Sequence, residues 1–73
     1  MANESLRKLA LRVKELRAAA GLTQQQVSER SGLHITYIAD IEGGRRNPSF
    51  VTLLSLAKGL GVSLSELTQG LVD

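Results

Sequence analysis

A short central segment of the chain constrains the fold most, because it carries the start and stop signals of two helices. Thr23 and Gln26 have the T-x-x-Q spacing of a capping box, in which each side chain satisfies a free backbone amide. Gly32 is expected to end this helix, since glycine permits the positive φ of a tight turn. A second helix is predicted from about His34 to Glu42. Helices this short are marginal alone, so we expect them to pack on one another.

The two helices differ in what they present to the rest of the protein and to solvent. Apolar residues are spaced so that one side of both helices is buried: Val27, Leu33, Ile38 and Ile41. The outward side of the second helix carries Ile35, Thr36, Tyr37 and Asp40. A short helix with small polar and aromatic groups at its start fits a DNA major groove. The segment therefore predicts sequence-specific binding of double-stranded DNA.

Three further helices are predicted around this pair. The first covers roughly Ser5–Ala20, and Gly21 ends it as a left-handed cap. The fourth starts at Ser49 and continues to about Leu60, with a core stripe of Phe50, Leu53, Leu54, Ala57 and Leu60, and Gly59 and Gly61 loosen and close it. A second capping box, Ser63 with Glu66, starts a fifth helix over Leu64–Gln69. We expect an all-α, compact five-helix bundle with a helix-turn-helix, forming a single domain over residues 1–73.

Composition excludes several classes of function. The chain has no cysteine and one histidine, so a disulfide, a thiolate site and a histidine-rich metal cluster are all excluded. No nucleophile–histidine pair, carboxylate cleft or phosphate-binding glycine loop is recognisable, so we expect no enzyme activity, no cofactor and no small-molecule ligand. No membrane span or signal core is apparent, which makes a cytoplasmic location the expectation. The net charge of +2 is a weak indicator by itself.

The distribution of charge is more informative than its sum. Basic residues crowd the first helix, and Arg45 with Arg46 follows the second helix of the central pair, in a loop with Asn47 and Pro48 that we expect to be exposed. Two of the seven acidic residues, Glu66 and Asp73, lie near the other end of the chain. A basic face with an acidic far side suits an anion-binding module, but for the first helix alone an ordinary solvated face is the favoured interpretation. For the paired arginines phosphate binding is favoured.

Several spaced motifs agree with one known family. Leu22-Thr23-Gln24, Val27, Gly32, Ile38, Ile41-Glu42, Gly44-Arg45 and Asn47-Pro48 resemble the Cro/phage-repressor type of helix-turn-helix regulators, also called XRE-like. The run from Thr36 to Asn47 is further similar to the controller proteins of restriction–modification systems. The resemblance implies a homodimeric transcription regulator that reads a pseudo-palindromic operator with the third helix in the major groove.

The resemblance also implies which residues contact DNA. By matching position they are Gln24, Ile35, Thr36, Tyr37, Asp40, Arg46, Asn47 and Ser49. The predicted DNA-binding set further includes their neighbours Thr23, Gln25 and Arg45. Gln24 would bind a backbone phosphate and support the third helix, whereas Ile35, Thr36 and Tyr37 would meet base edges. Relatives often carry a polar residue at the position of Ile35 and a charged residue at the position of Gly43. The operator of this protein is therefore expected to differ from theirs. Isoleucine cannot donate a hydrogen bond and can only pack on a thymine methyl group or a sugar.

Three interpretations remain open at individual residues. Tyr37 either packs against the fourth helix or contacts DNA. Asp40 either accepts a hydrogen bond from a cytosine amine or pairs with Arg45 or Arg46, and the second is favoured. Glu42 is expected to be structural, through pairing with a basic residue of the first helix.

An apolar surplus in the C-terminal third predicts a dimer interface, because so small a core cannot hide all of it. The residues assigned to it are Val51, Leu56, Leu64, Leu67 and Leu71, together with Val72. Two other functions compete with the operator-binding regulator. One is an antitoxin that binds a toxin protein, and the other is a protein-bridging adaptor that does not read DNA. A gel shift separates the adaptor from a DNA reader, and a neighbouring toxin or restriction gene separates the two regulators.

Overall fold

The computed structural model describes residues 3–71, which fold as five helices without a strand in that range. The helices are α1 (Glu4–Ala19), α2 (Gln24–Ser31), α3 (Ile35–Glu42), α4 (Phe50–Leu60) and α5 (Leu64–Leu67). The all-α prediction is confirmed. The fifth helix ends at Leu67, earlier than predicted, and Val72 and Asp73 lie outside the described residues.

The helix boundaries follow from local hydrogen bonds. Both capping boxes are present, Thr23 with Gln26 and Ser63 with Glu66. The first helix starts earlier than predicted because the Asn3 side chain accepts a hydrogen bond from the amide of Ser5 at 2.8 Å. Glycines with φ of +70° and +79° follow α1 and α2, at residues 21 and 32, as the turn positions required.

The core lies where α1, α2, α3, α4 and α5 converge. Its buried members are Leu9, Val13, Val27, Ile38, Ile41, Leu56, Ala57, Leu60 and Leu67. Two arginines fasten the helices around it: Arg12 Nε donates to the Glu66 carbonyl at 2.9 Å, and Arg30 Nε donates to the Gly59 carbonyl at 2.8 Å. These bonds join α1 to the region of α5, and α2 to α4. The other helices therefore hold the pair α2–α3 in position.

Gly59 has a role that the sequence interpretation missed. It was expected to loosen the fourth helix, but the residue is buried against α2. A Cβ atom there would lie 2.7 Å from the Ser31 Cβ and 3.1 Å from the Val27 carbonyl oxygen. Glycine therefore permits the close approach of α2 and α4, and a larger residue would force the helices apart.

The predicted core stripe of α4 was partly wrong. Phe50 is 63% exposed and Leu54 is 43% exposed, whereas Leu56 is fully buried. The central line of the stripe through Leu53, Ala57 and Leu60 does face the core. Helical spacing allows that line to widen on either side, towards Phe50 and Leu54 or towards Leu56. Packing on α2 and α5 selects the second side, which periodicity alone does not determine.

The observed burial of the leucines also corrects the predicted dimer interface. Leu56 and Leu67 have no exposed surface, so they belong to the core of one chain and are unavailable to a partner. Leu64 and Leu71 are half-buried and pack against that core, while Val51 is 68% exposed. The loop before α4 was also expected to be exposed throughout, but Pro48 is buried. Among residues 3–71, no helix combines the length and the apolar character needed to cross a membrane.

Candidate nucleic-acid interface

The outward face of α3 is exposed at its N-terminal end. Ile38 and Ile41 point into the core, which turns Thr36 to the solvent and leaves Ile35 half-buried. His34 caps the helix, because its Nδ1 atom accepts a hydrogen bond from the Thr36 amide at 3.1 Å. That bond satisfies one of the free amides at the helix start. The cap thus leaves the Thr36 side chain exposed beside a fixed backbone.

Tyr37 is neither fully buried nor fully exposed, so its position leaves both alternatives, packing and DNA contact, open. Its ring is half-buried and packs against the core cluster, and the guanidinium carbon of Arg46 lies 4.4 Å from the ring centroid. A cation at this distance is attracted by the negative face of an aromatic ring. One side of the Tyr37 ring therefore packs against the core, and the ring in turn holds the Arg46 guanidinium group.

Asp40 binds both arginines of the loop that follows α3. Arg45 Nη2 lies 3.3 Å from Oδ1, and Arg46 Nη2 lies 3.5 Å from Oδ2. Each carboxylate oxygen therefore accepts from a different guanidinium group. This geometry agrees with the favoured interpretation of Asp40 as a partner of these arginines. We refer to Asp40, Arg45 and Arg46 as the surface clasp.

Glu42 forms a second, buried centre on the same helix. Its side chain is 4% exposed and accepts from Arg17 Nε at 2.7 Å and from Arg17 Nη2 at 3.0 Å. Gln24 Nε2 donates to the same carboxylate at 3.1 Å, and Arg17 Nη1 donates to the Leu22 carbonyl. The predicted pairing of Glu42 with the first helix is confirmed. The carboxylate joins α1, the start of α2 and α3, and we call this group the buried centre.

The buried centre also changes the electrostatics of Arg17. Its hydrogen bonds with Glu42 raise the pKa of Arg17 above its ordinary value, and the charge of Glu42 adds to this, although desolvation acts in the opposite direction. Two-point pairing of this kind fixes orientation as well as charge. In residues 3–71, no buried side-chain nitrogen or oxygen lacks a hydrogen-bond partner.

The remaining predicted contact residues lie at helix starts and in the loop. Thr23 caps α2, Gln25 is exposed, and Gln24 is half-buried with its amide held by Glu42. Asn47 is exposed, and Ser49 caps α4 by accepting from the Thr52 amide at 3.2 Å. Phosphate contacts by these residues remain predictions, although free amides at a helix start are suited to phosphate.

Sequence reasoning missed Arg17 and Gly43 as parts of the site. Arg17 was one of several basic residues in the first helix, and its selection depends on which face meets α3. A Cβ atom at Gly43 would lie 2.2 Å from Arg45 Nη1, so glycine leaves the space in which this guanidinium folds back. The sequence shows that Gly43 lacks a side chain, but only the structure shows what fills the space.

Other chemistry has little support in the described residues. Residues 3–71 contain no group of three or more histidine, cysteine or acidic side chains arranged for a metal ion. A surface depression of about 310 Å³ lies between α1 and the end of α3. It is lined by Arg7, Ala10, Leu11, Lys14, Glu42, Gly43 and Gly44. It does not reach the exposed start of α3.

The chain belongs to the helix-turn-helix family HTH_3, which matches residues 13–67, and the predicted family is thereby confirmed. It is 52% identical over 52 residues to the HTH-type transcriptional regulator y4dJ of Sinorhizobium fredii, covering 71% of this chain and 68% of that protein. Other matched regulators are longer, and the chain spans 49% of DdrOP3 from Deinococcus deserti.

Two solved structures of restriction–modification controller proteins share the fold. The crystal structure of C.AhdI from Aeromonas hydrophila has a TM-score of 0.82 and 42% identity, covering 85% of this chain and 94% of that one. The C.Esp1396I tetramer in complex with its natural 35 base-pair operator has a TM-score of 0.88 and 33% identity, covering 96% and 92%. Both therefore share sequence as well as fold with this chain.

Proposed function

We propose that the chain is a transcription regulator that binds a pseudo-palindromic operator as a dimer, with α3 of each subunit in a major groove. The observation that carries this proposal is the exposed N-terminal end of α3, where Thr36 is exposed and the neighbouring Tyr37 ring stacks with Arg46. The complex of C.Esp1396I with its operator supports this assignment. The likeness to C.AhdI and C.Esp1396I further favours a controller of a restriction–modification system.

Within this proposal, specificity and affinity come from different residues. Thr36 and Tyr37 present hydroxyl groups that donate to or accept from base edges, and Ile35 packs on a thymine methyl group. Phosphate contacts come from the helix starts and the loop, through Gln24, Arg45, Arg46, Asn47 and Ser49. The first group sets which sequence is bound, and the second sets how strongly any duplex is bound.

Thr36 offers the sharpest test of whether the N-terminal end of α3 contacts the bases. Because Thr36 is exposed, Thr36→Ala should leave the fold intact but lower discrimination at one operator position by about 1–3 kcal/mol. The measurement compares a duplex selected from a random library with a random duplex at one salt concentration. Ser65→Ala, an exposed change on α5, is the matched control. Full retention of the specificity ratio by both Thr36→Ala and Tyr37→Ala would mean that the start of α3 does not read the sequence. A wild-type protein that selects no duplex would favour the adaptor instead.

The dimer requires a revised surface, because two of the predicted interface leucines are buried. We place the subunit contact at the apolar side of α4 that faces away from the core, formed by Phe50, Val51 and Leu54. A contiguous exposed apolar patch of this kind is typical of an interface. An oligomeric relative, the C.Esp1396I tetramer, supports a second copy as the occupant.

This surface has an internal control on α1. Leu54→Asp should convert the dimer to a monomer in sedimentation at micromolar concentration and weaken binding to the selected duplex. Leu11 is 59% exposed on α1, so Leu11→Asp adds the same charge elsewhere and should leave the dimer intact. A monomeric wild-type protein at high concentration, or equal effects of the two variants, would remove this surface from the dimer.

A further inference from the structure

The outward face of α3, which carries the proposed base-contacting residues, also carries a carboxylate. Thr36 and Asp40 are one helical turn apart on α3, so their side chains project from the same side of the helix. Asp40 is 28% exposed, and the arginines that it binds are 64% and 46% exposed. A negative group in this position opposes the approach of DNA phosphates, so its presence calls for a physical reason.

Within the surface clasp, Asp40 binds both arginines of the loop that follows α3. Arg45 reaches Oδ1 and Arg46 reaches Oδ2, with the Arg46 guanidinium also held over the Tyr37 ring. An arginine that contacts a phosphate on an arbitrary duplex must exchange its carboxylate partner for that phosphate. The exchange leaves Asp40 without its counter-charges beside the DNA backbone, which makes each phosphate contact less favourable.

We infer that Asp40 is a specificity-determining residue, which holds back the binding of Arg45 and Arg46 to DNA of arbitrary sequence. The inference rests on the proposed function, since it assumes that α3 faces DNA. Binding to arbitrary sequence depends almost entirely on phosphate contacts, so a carboxylate that competes for two arginines reduces it most. Asp40 therefore acts against the wrong partner rather than as a reader of a base.

On a correct operator part of this cost is offset. The clasp and the Tyr37 ring together restrict Arg46 to one orientation, so less side-chain freedom is lost when it meets its proper site. Removing the carboxylate should thus strengthen binding to random DNA more than binding to the operator. The ratio of the two affinities is the quantity that Asp40 raises.

Gly43 allows the two arginines to be tested separately. Its φ of −90° and ψ of 0° suit an L-residue, so alanine fits the backbone. The new Cβ would occupy the position of the Arg45 guanidinium, with 2.2 Å to Nη1, and would displace this flexible end from Asp40. Gly43→Ala should therefore release Arg45 while Arg46 remains held by Asp40 and Tyr37.

The test measures binding of the full chain to a random-sequence duplex and to a duplex selected by the wild-type protein. Asp40→Asn should bind the random duplex about tenfold more tightly at 0.1 M salt, with the log–log salt slope steeper by about 0.9 for each additional phosphate that an arginine neutralises. The selected duplex should be strengthened less, so the specificity ratio falls. Gly43→Ala should show the same changes at a smaller size. Glu15→Gln, an exposed change of equal charge on α1, is the control.

Other outcomes would overturn the inference. If Glu15→Gln strengthens random binding as much as Asp40→Asn does, only net charge matters. If Asp40→Asn weakens binding to the selected duplex and leaves random binding unchanged, Asp40 reads a base. These results leave the proposed function standing, because the wild-type protein still prefers its selected duplex. A wild-type protein without any sequence preference would instead contradict the proposed function itself.

Discussion

Two carboxylates on α3 lie two residues apart and have opposite surroundings. Glu42 is 4% exposed and accepts from Arg17 and Gln24, whereas Asp40 is 28% exposed and accepts from Arg45 and Arg46. Each binds two partners, although Gln24 donates from a neutral amide and the other three donors are guanidinium groups. The buried centre joins three helices, while the surface clasp joins one helix to the loop that follows it. The comparison shows how location separates a structural ion pair from an exchangeable one.

The physical reason is the cost of removing charge from water. A carboxylate buried like that of Glu42 loses its hydration on folding, so its partners are needed at every moment to compensate it. Asp40 keeps part of its hydration, and water or a phosphate competes for its arginines. We therefore expect the buried centre to determine stability and the surface clasp to affect what is bound. Three substitutions test this division, in order of decreasing effect on the free energy of unfolding.

Glu42→Leu should lower the free energy of unfolding by about 2–4 kcal/mol, because it leaves the Arg17 guanidinium without its counter-charge. The side chain of Arg17 is 25% exposed, so access to water keeps the effect below that of a fully enclosed charge. Urea unfolding at one fixed protomer concentration provides the measurement, since dimerisation shifts the midpoint. The paired variant Arg17→Met with Glu42→Leu should recover most of the loss. Wild-type stability of the single variant would contradict the structural role of this pair.

Gln24→Ala should have a smaller effect on stability, about 1 kcal/mol, because it removes one hydrogen bond to the Glu42 carboxylate but leaves the Arg17 pair. It should also weaken DNA binding, since Gln24 stands at the start of α2. Gln25→Ala is the matched control for stability alone, because Gln25 is exposed and its bond to Glu29 is 3.4 Å long. Equal unfolding midpoints for the two variants would exclude Gln24 from the buried centre.

Local signals in the sequence predicted the helices well. Capping boxes, a serine cap and glycines with positive φ depend on neighbours along the chain, so Thr23, Gly32, Ser49 and Ser63 marked helix boundaries correctly. Hydrogen bonds of this kind form within a few residues and are largely independent of the tertiary fold. The same applies to the outward position of Thr36, which follows from the burial of Ile38 and Ile41.

Features that depend on contacts between distant helices were not predictable to the same extent. The sequence allowed the apolar stripe of α4 to widen on either side. The buried side includes Leu56, and α4 packs on α2 and α5. Arg17 was selected from several basic residues by its distance to Glu42. Gly59 was interpreted as loosening a helix, although it permits the close approach of α2 and α4. Each of these features depends on which helix surfaces meet.

Asp40→Asn should have the smallest effect on folding, within about 0.5 kcal/mol of the wild-type free energy of unfolding. It removes a carboxylate from two arginines, as the change at Glu42 does from one, but all three groups of the surface clasp remain accessible to water. The measurement is the urea midpoint at the protomer concentration used for Glu42→Leu. Raising the salt concentration should reduce even this small difference, because exposed pairs are screened and buried ones much less. A loss of about 2 kcal/mol or more, insensitive to salt, would mean that the clasp holds the loop in the folded structure. Its arginines would then not be free to exchange Asp40 for phosphate, and burial would no longer distinguish the two carboxylates.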